Sequence, residues 1–217
     1  MSLSSRAVLW DLDGTLVDSE DYHWQSWRET MASEGVDLSR DRFLESFGQR
    51  NDRILRTWLG EDAAPDRIAR VGDAKEVAYR RLVSGGSLMP LPGAREWIGR
   101  LLTDGWRQAI ASSAPRLNVD AMLHALRLEP YFDVIVSAED VAVGKPDPGV
   151  FLAAAERVGV EPAKCIVVED APAGIEAARR AGMKSIGVNR TGTLDADLFV
   201  SSLGDLPPDA FAKLLTR

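Results

Sequence analysis

The 217-residue sequence holds a single cysteine, Cys165, so no internal disulfide can staple the fold. Scarcity of cysteine fits a reducing compartment. Cys165 lies in the apolar run Cys165-Ile166-Val167-Val168, where a buried and inert thiol is expected. No stretch reaches the roughly 18 apolar residues of a membrane span, so no membrane partner is expected. The N-terminal segment lacks the apolar centre of a secretory signal, and a cytoplasmic location is the expectation. Positive charge is also short. Lys and Arg total 26 against 33 Asp and Glu, for a formal net charge of −7. That balance argues against a nucleic-acid partner but not against a small anionic substrate, since a local field can oppose the net charge. Repeats and low-complexity tracts are absent from the sequence. Hydrophobic residues make up 45%, which excludes a disordered chain and suits one large domain or a core with a small insert.

The run Ala7-Val8-Leu9-Trp10 reads as a buried strand. After it the pattern turns helical. Asp18–Gly35 carries Trp24, Trp27 and Met31 at helical spacing behind Ser19 as a candidate cap. Arg40–Ser46, Asn51–Leu59 and Asp66–Leu82 continue the helical block, and Ser84-Gly85-Gly86-Ser87 reads as a flexible end to it. From Ala94 onward helices and strands alternate. Strands are expected at 108–111, 132–136, 165–168 and 185–188, with a last short one at 198–200. Helices are expected at 94–103, 117–126, 149–158, 173–181 and 209–215. The implied architecture is α/β: a doubly wound, mainly parallel sheet over residues 1–16 and 90–217, with an all-helical domain inserted over 17–89.

Ligands of such sheets sit beyond the carboxyl ends of the strands, and the polar residues collect there. The first strand ends in Asp11-Leu12-Asp13-Gly14-Thr15. Carboxylates two residues apart can share one side of a strand, and they repel unless a cation or a shared proton compensates. An oxygen-only donor set favours Mg²⁺. With a cation bound, one carboxylate can serve as nucleophile and the other as proton shuttle. Ser112-Ser113 follows the second strand, and Glu169-Asp170 follows the strand of Cys165. Lys145 lies in the loop Val143-Gly144-Lys145-Pro146-Asp147-Pro148, whose prolines stiffen the backbone. Singly, each has a plainer reading: an Asp-Gly turn, a serine cap, a solvated lysine, acids favoured at a helix N-terminus. Gathered at one sheet edge, a hydroxyl, an ammonium and backbone N–H groups suit a phosphoryl group.

These motifs, in this order, resemble those of the haloacid dehalogenase (HAD) superfamily of phosphohydrolases. The run Glu169-Asp170-Ala171-Pro172-Ala173-Gly174-Ile175-Glu176-Ala177-Ala178-Arg179-Arg180-Ala181-Gly182-Met183 is similar to the branch that holds β-phosphoglucomutase and many small-metabolite phosphatases. The resemblance spans nearly the whole chain. It implies a Rossmann-like core with a helical cap, and hydrolysis of a small phosphorylated metabolite such as a sugar phosphate; a monomer is the expectation, although the sequence does not fix the oligomeric state. It implies Asp11 as nucleophile, Asp13 as acid/base, and Ser112 and Lys145 on the phosphoryl oxygens. It also implies Mg²⁺ held by Asp11, the Asp13 backbone carbonyl and Asp170, with Glu169 as ligand or near partner. Gly14, Thr15, His23, Trp27, Arg50, Asn51, Ser113 and Arg116 complete the implied substrate-binding set.

Two departures from the mutase pattern favour hydrolysis. Asn51 stands where the mutase places an arginine on a second phosphate. Ser112-Ser113-Ala114-Pro115-Arg116 lacks the second serine and the asparagine of the mutase's contacts. β-Phosphoglucomutase stays the enzymatic alternative, and a phosphorylated module without turnover the non-enzymatic one. Dehalogenation has no need of Asp13. Phosphonate cleavage needs a Schiff-base lysine, and Lys75, the one lysine of the helical insert, lies away from the matching segment.

Overall fold

The computed structural model of the chain describes residues 6–46 and 49–216. The chain divides into two compact units, Ser19–Ser87 and the combination of Met1–Asp18 with Leu88–Arg217. The sequence-based division at 17–89 differs by two residues at each end. The difference arises because Val17 bridges Pro90 and Leu91 N–H donates to Leu16 C=O at 2.8 Å, which ties both connecting segments to the larger unit.

The larger unit contains, among the described residues, a six-stranded sheet of β1 (Ala7–Trp10), β2 (Arg107–Ala111), β3 (Val134–Val136), β4 (Cys165–Glu169), β5 (Lys184–Val188) and β6 (Leu198–Val200). The strand order is β3-β2-β1-β4-β5-β6 and every pair is parallel. That order reverses direction between β1 and β4, the place where doubly wound sheets open a crevice at their carboxyl edge. The expected strand at 132–136 shortens to Val134–Val136 because 129–131 form a 3₁₀ turn and Asp133 Oδ2 accepts the Gln108 N–H.

Alternation along the strands fills both faces. Ala7, Leu9, Ala109, Ala111, Cys165 and Val167 pack with α7 (Gly149–Val158) and α8 (Pro172–Arg180). Burial pushes the Cys165 thiol up to about 12, which makes it inert. Trp10 points to the other face, where Phe211 of the last helix lies among Trp10, Trp97 and Trp106. Gln108 is fully buried there and satisfied. Its amide oxygen accepts the Trp10 indole N–H at 3.0 Å, and its nitrogen donates to the Ile98 carbonyl at 3.0 Å.

The smaller unit is helical: α1 (Glu20–Ser33), α2 (Arg40–Ser46), α3 (Asn51–Leu59) and α4 (Pro65–Gly85). Its core gathers Trp27, Met31, Phe43, Leu55, Trp58 and Val71. Ser19 occupies the N-cap position of α1, but its side chain makes no capping bond. The glycine-serine stretch does not interrupt α4 before Gly85, because Ser84 and Gly85 complete its last turn.

Candidate active site

Four side chains from three segments meet at the β1/β4 edge. Asp11 follows β1, and its N–H donates to Val168 C=O of β4 at 2.9 Å, extending the ladder by one bond. Glu169 ends β4 and Asp170 follows it. Lys145 enters from the loop between β3 and α7. Its ammonium donates to Asp11 Oδ1 at 2.6 Å and to Glu169 Oε1 at 2.7 Å, and it lies 4.9 Å from the Phe151 ring centre. The three side chains are nearly closed off from solvent, at 7%, 10% and 2% exposure for Lys145, Asp11 and Glu169. Burial disfavours the Lys145 charge, but the Asp11 and Glu169 carboxylates outweigh it and hold the lysine above its ordinary range.

The carboxylates stay undercompensated. Burial raises Asp11 to about 7, with Lys145 opposing and Glu169 adding to the rise. Burial, then Asp11 and Glu169, raise Asp170 to about 9. Oxygen atoms of Asp11, Glu169 and Asp170 lie within 4.8 Å of one another. Two buried carboxylates, a half-buried one and one ammonium leave a negative excess in an oxygen-only donor set, which fits a hard divalent cation such as Mg²⁺.

Two glycines make this crowding possible. Gly14 has φ +82°, and a Cβ there would stand 2.1 Å from Asp170 Oδ2. A Cβ on Gly174, in the first turn of α8, would stand 1.9 Å from Glu169 Oε1. The Glu169 side chain therefore folds over the helix start, and its Oε2 accepts the N–H groups of Asp170 and Ala171 at 2.7 and 2.8 Å. Both Glu169 oxygens are thereby occupied by protein donors, which suits a partner that braces Asp170 and Lys145.

Other residues expected in the site divide. Asp13 lies on the turn after Asp11, half-buried, and its side chain is not part of the three-carboxylate group. Ser112 stands at the end of β2, 2% exposed, with its Oγ accepting the Ala114 N–H at 3.0 Å. It caps that turn, while the next helix, α6 (Arg116–Leu126), starts behind Pro115. Ser113 is exposed. Arg116 is drawn away, its guanidinium pairing with Asp120 at 2.9 Å along α6. Thr15 follows Gly14 on the same turn; its side chain is fully buried and its hydroxyl has no hydrogen-bond partner among the described residues.

In the helical unit, Trp27 packs in the core. It is 2% exposed and edge-on to Trp58 at 5.0 Å. Arg50 is 65% exposed beside Asp52. Asn51 donates its amide to Glu76 Oε1. His23 stacks on Tyr79 at 4.2 Å, and the Lys75 ammonium donates to its Nδ1 at 3.0 Å. Lys75 is itself 2% exposed and also donates to Glu76 at 3.0 Å. Lys75 and Glu76 were missed by sequence reasoning, which set Lys75 aside as remote. α4 runs back along α1 and closes that separation in sequence. The available signal was a lysine on the apolar stripe of a helix.

Residues 5–182 match the family model of haloacid dehalogenase-like hydrolases. The chain is 34% identical over 187 residues to the fructose-1-phosphate phosphatase YqaB of Escherichia coli, covering 83% of this chain and 95% of that protein. It is 32% identical over 211 residues to the β-phosphoglucomutase of Bacillus subtilis, covering 93% and 91%. A crystal structure of CbbY from Rhodobacter sphaeroides in complex with phosphate superposes with a TM-score of 0.88 at 29% identity, covering 97% of this chain and 100% of that one.

Gly14→Ala tests the clearance between the two loops. The added methyl collides with Asp170 Oδ2, and the left-handed backbone adds about 1–2 kcal/mol of strain. The expected outcome is a folded protein by circular dichroism whose Mg²⁺ affinity in calorimetric titration falls at least tenfold. Affinity equal to the parent chain contradicts the account.

Proposed function

The chain belongs to the haloacid dehalogenase-like hydrolases, and from that membership we propose that it hydrolyses a small phosphorylated metabolite, a sugar phosphate, through a phosphoryl group carried on Asp11. The observation that carries this reading is the buried Asp11 carboxylate, held by the Lys145 ammonium at 2.6 Å beside Glu169 and Asp170. Support also comes from relatives named as phosphatases of phosphorylated sugars and sugar alcohols.

In the proposed reaction an Asp11 oxygen attacks phosphorus and the bond from phosphorus to the substrate oxygen breaks. Asp13 gives its proton to that oxygen as it leaves. Asp13 then takes a proton from water as the water oxygen attacks the aspartyl-phosphate, and the Asp11 carboxylate departs. A carboxylate and a phosphate oxygen at about 4 Å repel by about 4 kcal/mol at an effective dielectric near 20. Lys145 reduces that repulsion by donating to oxygens on both partners as they converge, and Ser112 contributes its hydroxyl. Mg²⁺, held by Asp11, Asp170 and the Asp13 carbonyl with Glu169 in support, supplies the remaining positive charge to the transferring group when bound.

Substrate selection is assigned to the helical unit. His23, Asn51, Lys75 and Glu76 form one polar cluster there. Asn51 is committed to Glu76, and Arg50 lies exposed beside Asp52. Neither supplies a buried guanidinium for a second phosphate, and this favours water over a second sugar hydroxyl as acceptor.

Asp11→Asn is expected to lower kcat by about 10⁶, the cost of losing a covalent nucleophile, with the fold retained. Unchanged release of inorganic phosphate by the purified variant would rule the mechanism out. Exhaustive chelation with EDTA is expected to stop turnover and Mg²⁺ to restore it; full activity in EDTA contradicts the metal assignment. With β-glucose 1-phosphate and catalytic glucose 1,6-bisphosphate, inorganic phosphate is expected to form faster than glucose 6-phosphate. The opposite order identifies a mutase.

A further inference from the structure

The parallel ladder between β4 and β5 ends at the pair Glu169 and Gly187. Two residues beyond Gly187, the side chain of Asn189 continues the connection where backbone pairing stops. Its Nδ2 donates to the Asp170 carbonyl at 3.0 Å. Its Oδ1 accepts the N–H groups of Thr191 and Gly192, each at 2.9 Å, and the Thr191 hydroxyl at 3.2 Å. The Asn189 N–H itself donates to Val200 C=O of β6 at 3.2 Å. The two backbone donors to Oδ1 fix which end of the amide is oxygen, so the NH₂ group must face Asp170.

Asp170 is therefore gripped on both sides of its backbone. Glu169 Oε2 accepts its N–H at 2.7 Å and Asn189 donates to its C=O at 3.0 Å. Its side chain has little room to turn, since Asp170 Oδ2 already sits where a Cβ of Gly14 would be. Crowded carboxylates repel one another, and a held backbone limits how far Asp170 can retreat from Asp11. The Glu169 grip comes from the same acidic group, whereas the Asn189 grip comes from outside it, just past the end of β5.

We propose that Asn189 is a positioning residue for the cation site: its side-chain amide holds the Asp170 backbone so that the Asp170 carboxylate stays aimed at Asp11. The inference rests on the metal assignment made above. Partners that orient a metal ligand typically change affinity by about 10- to 100-fold when removed. Asn189 touches neither substrate nor the reacting atoms in this assignment, so its loss acts on metal occupancy before it acts on chemistry.

Asn189→Ser separates the two duties of the side chain. The serine oxygen can still accept the N–H groups of the turn but is too short to reach the Asp170 carbonyl. Thr191→Ala is the control, since it removes only a hydroxyl contact to Asn189 Oδ1. Calorimetric titration of each whole chain with Mg²⁺ is expected to show about tenfold weaker binding for Asn189→Ser and the parent affinity for Thr191→Ala. In turnover assays the Mg²⁺ concentration for half-maximal rate shifts by the same factor for Asn189→Ser, while kcat at saturating Mg²⁺ returns to within about twofold of the parent. A lower melting temperature with unchanged Mg²⁺ affinity would mark Asn189 as merely structural and overturn the proposal. Equal weakening in both variants would assign the effect to the turn rather than to the amide, and also overturn it. Failure of the parent chain to bind Mg²⁺ at all overturns the metal assignment, and the role of Asn189 with it.

Discussion

The Lys145 ammonium, wedged between Asp11 and Glu169, is the interaction on which the rest of the site depends. Removing carboxylates from water is costly, and an unpaired one is costlier than a pair. Here three are brought to one sheet edge, and among the described residues Lys145 is the side-chain cation hydrogen-bonded to them. The lysine does not balance the charge: burial first, and the neighbouring carboxylates after it, hold Asp11 and Asp170 above the usual carboxylate range. An oxygen-only group with that imbalance suits a cation. The same lysine loop must come from β3, two strands away from β1, which the parallel crossovers allow.

Close packing, rather than the identity of the acidic residues alone, sets the geometry. Gly14 and Gly174 leave the volume into which Asp170 and Glu169 fold. The Glu169 carboxylate then closes the start of α8 and presents its other oxygen to Lys145. One side chain thus couples a helix terminus, a neighbouring backbone and the lysine, so an error in any of these is transmitted to the others.

The sheet was legible in the sequence because its strands are short apolar runs followed at once by polar residues, as in Trp10-Asp11, Ala111-Ser112 and Val168-Glu169-Asp170. A strand end is a local feature, and the rule for parallel sheets converts local features into a shared edge. Contacts made by side chains across elements were not legible. Nothing near Asn189 in sequence signals a bond to Asp170, and nothing near Lys75 signals His23, because both depend on which element lies alongside. The burial of Trp27 and Thr15 was not legible for a related reason: their sequence neighbourhood is that of the motif, while their side chains turn into the packing. Ser19 has the residue type of a cap without the bond, since type permits a cap and backbone geometry decides it.

The pairing of Val17 with Pro90, and of Leu16 with Leu91, has a consequence for how such a protein can diversify. Chain exit and chain return lie side by side as a two-stranded stem, anchored to the α/β unit before the helical block begins. Any inserted module whose own two ends are adjacent can be grafted on that stem without moving β1 or the residues after it. Recombination at this stem can therefore exchange the helical block while the sheet edge that gathers Asp11, Lys145, Glu169 and Asp170 is inherited intact.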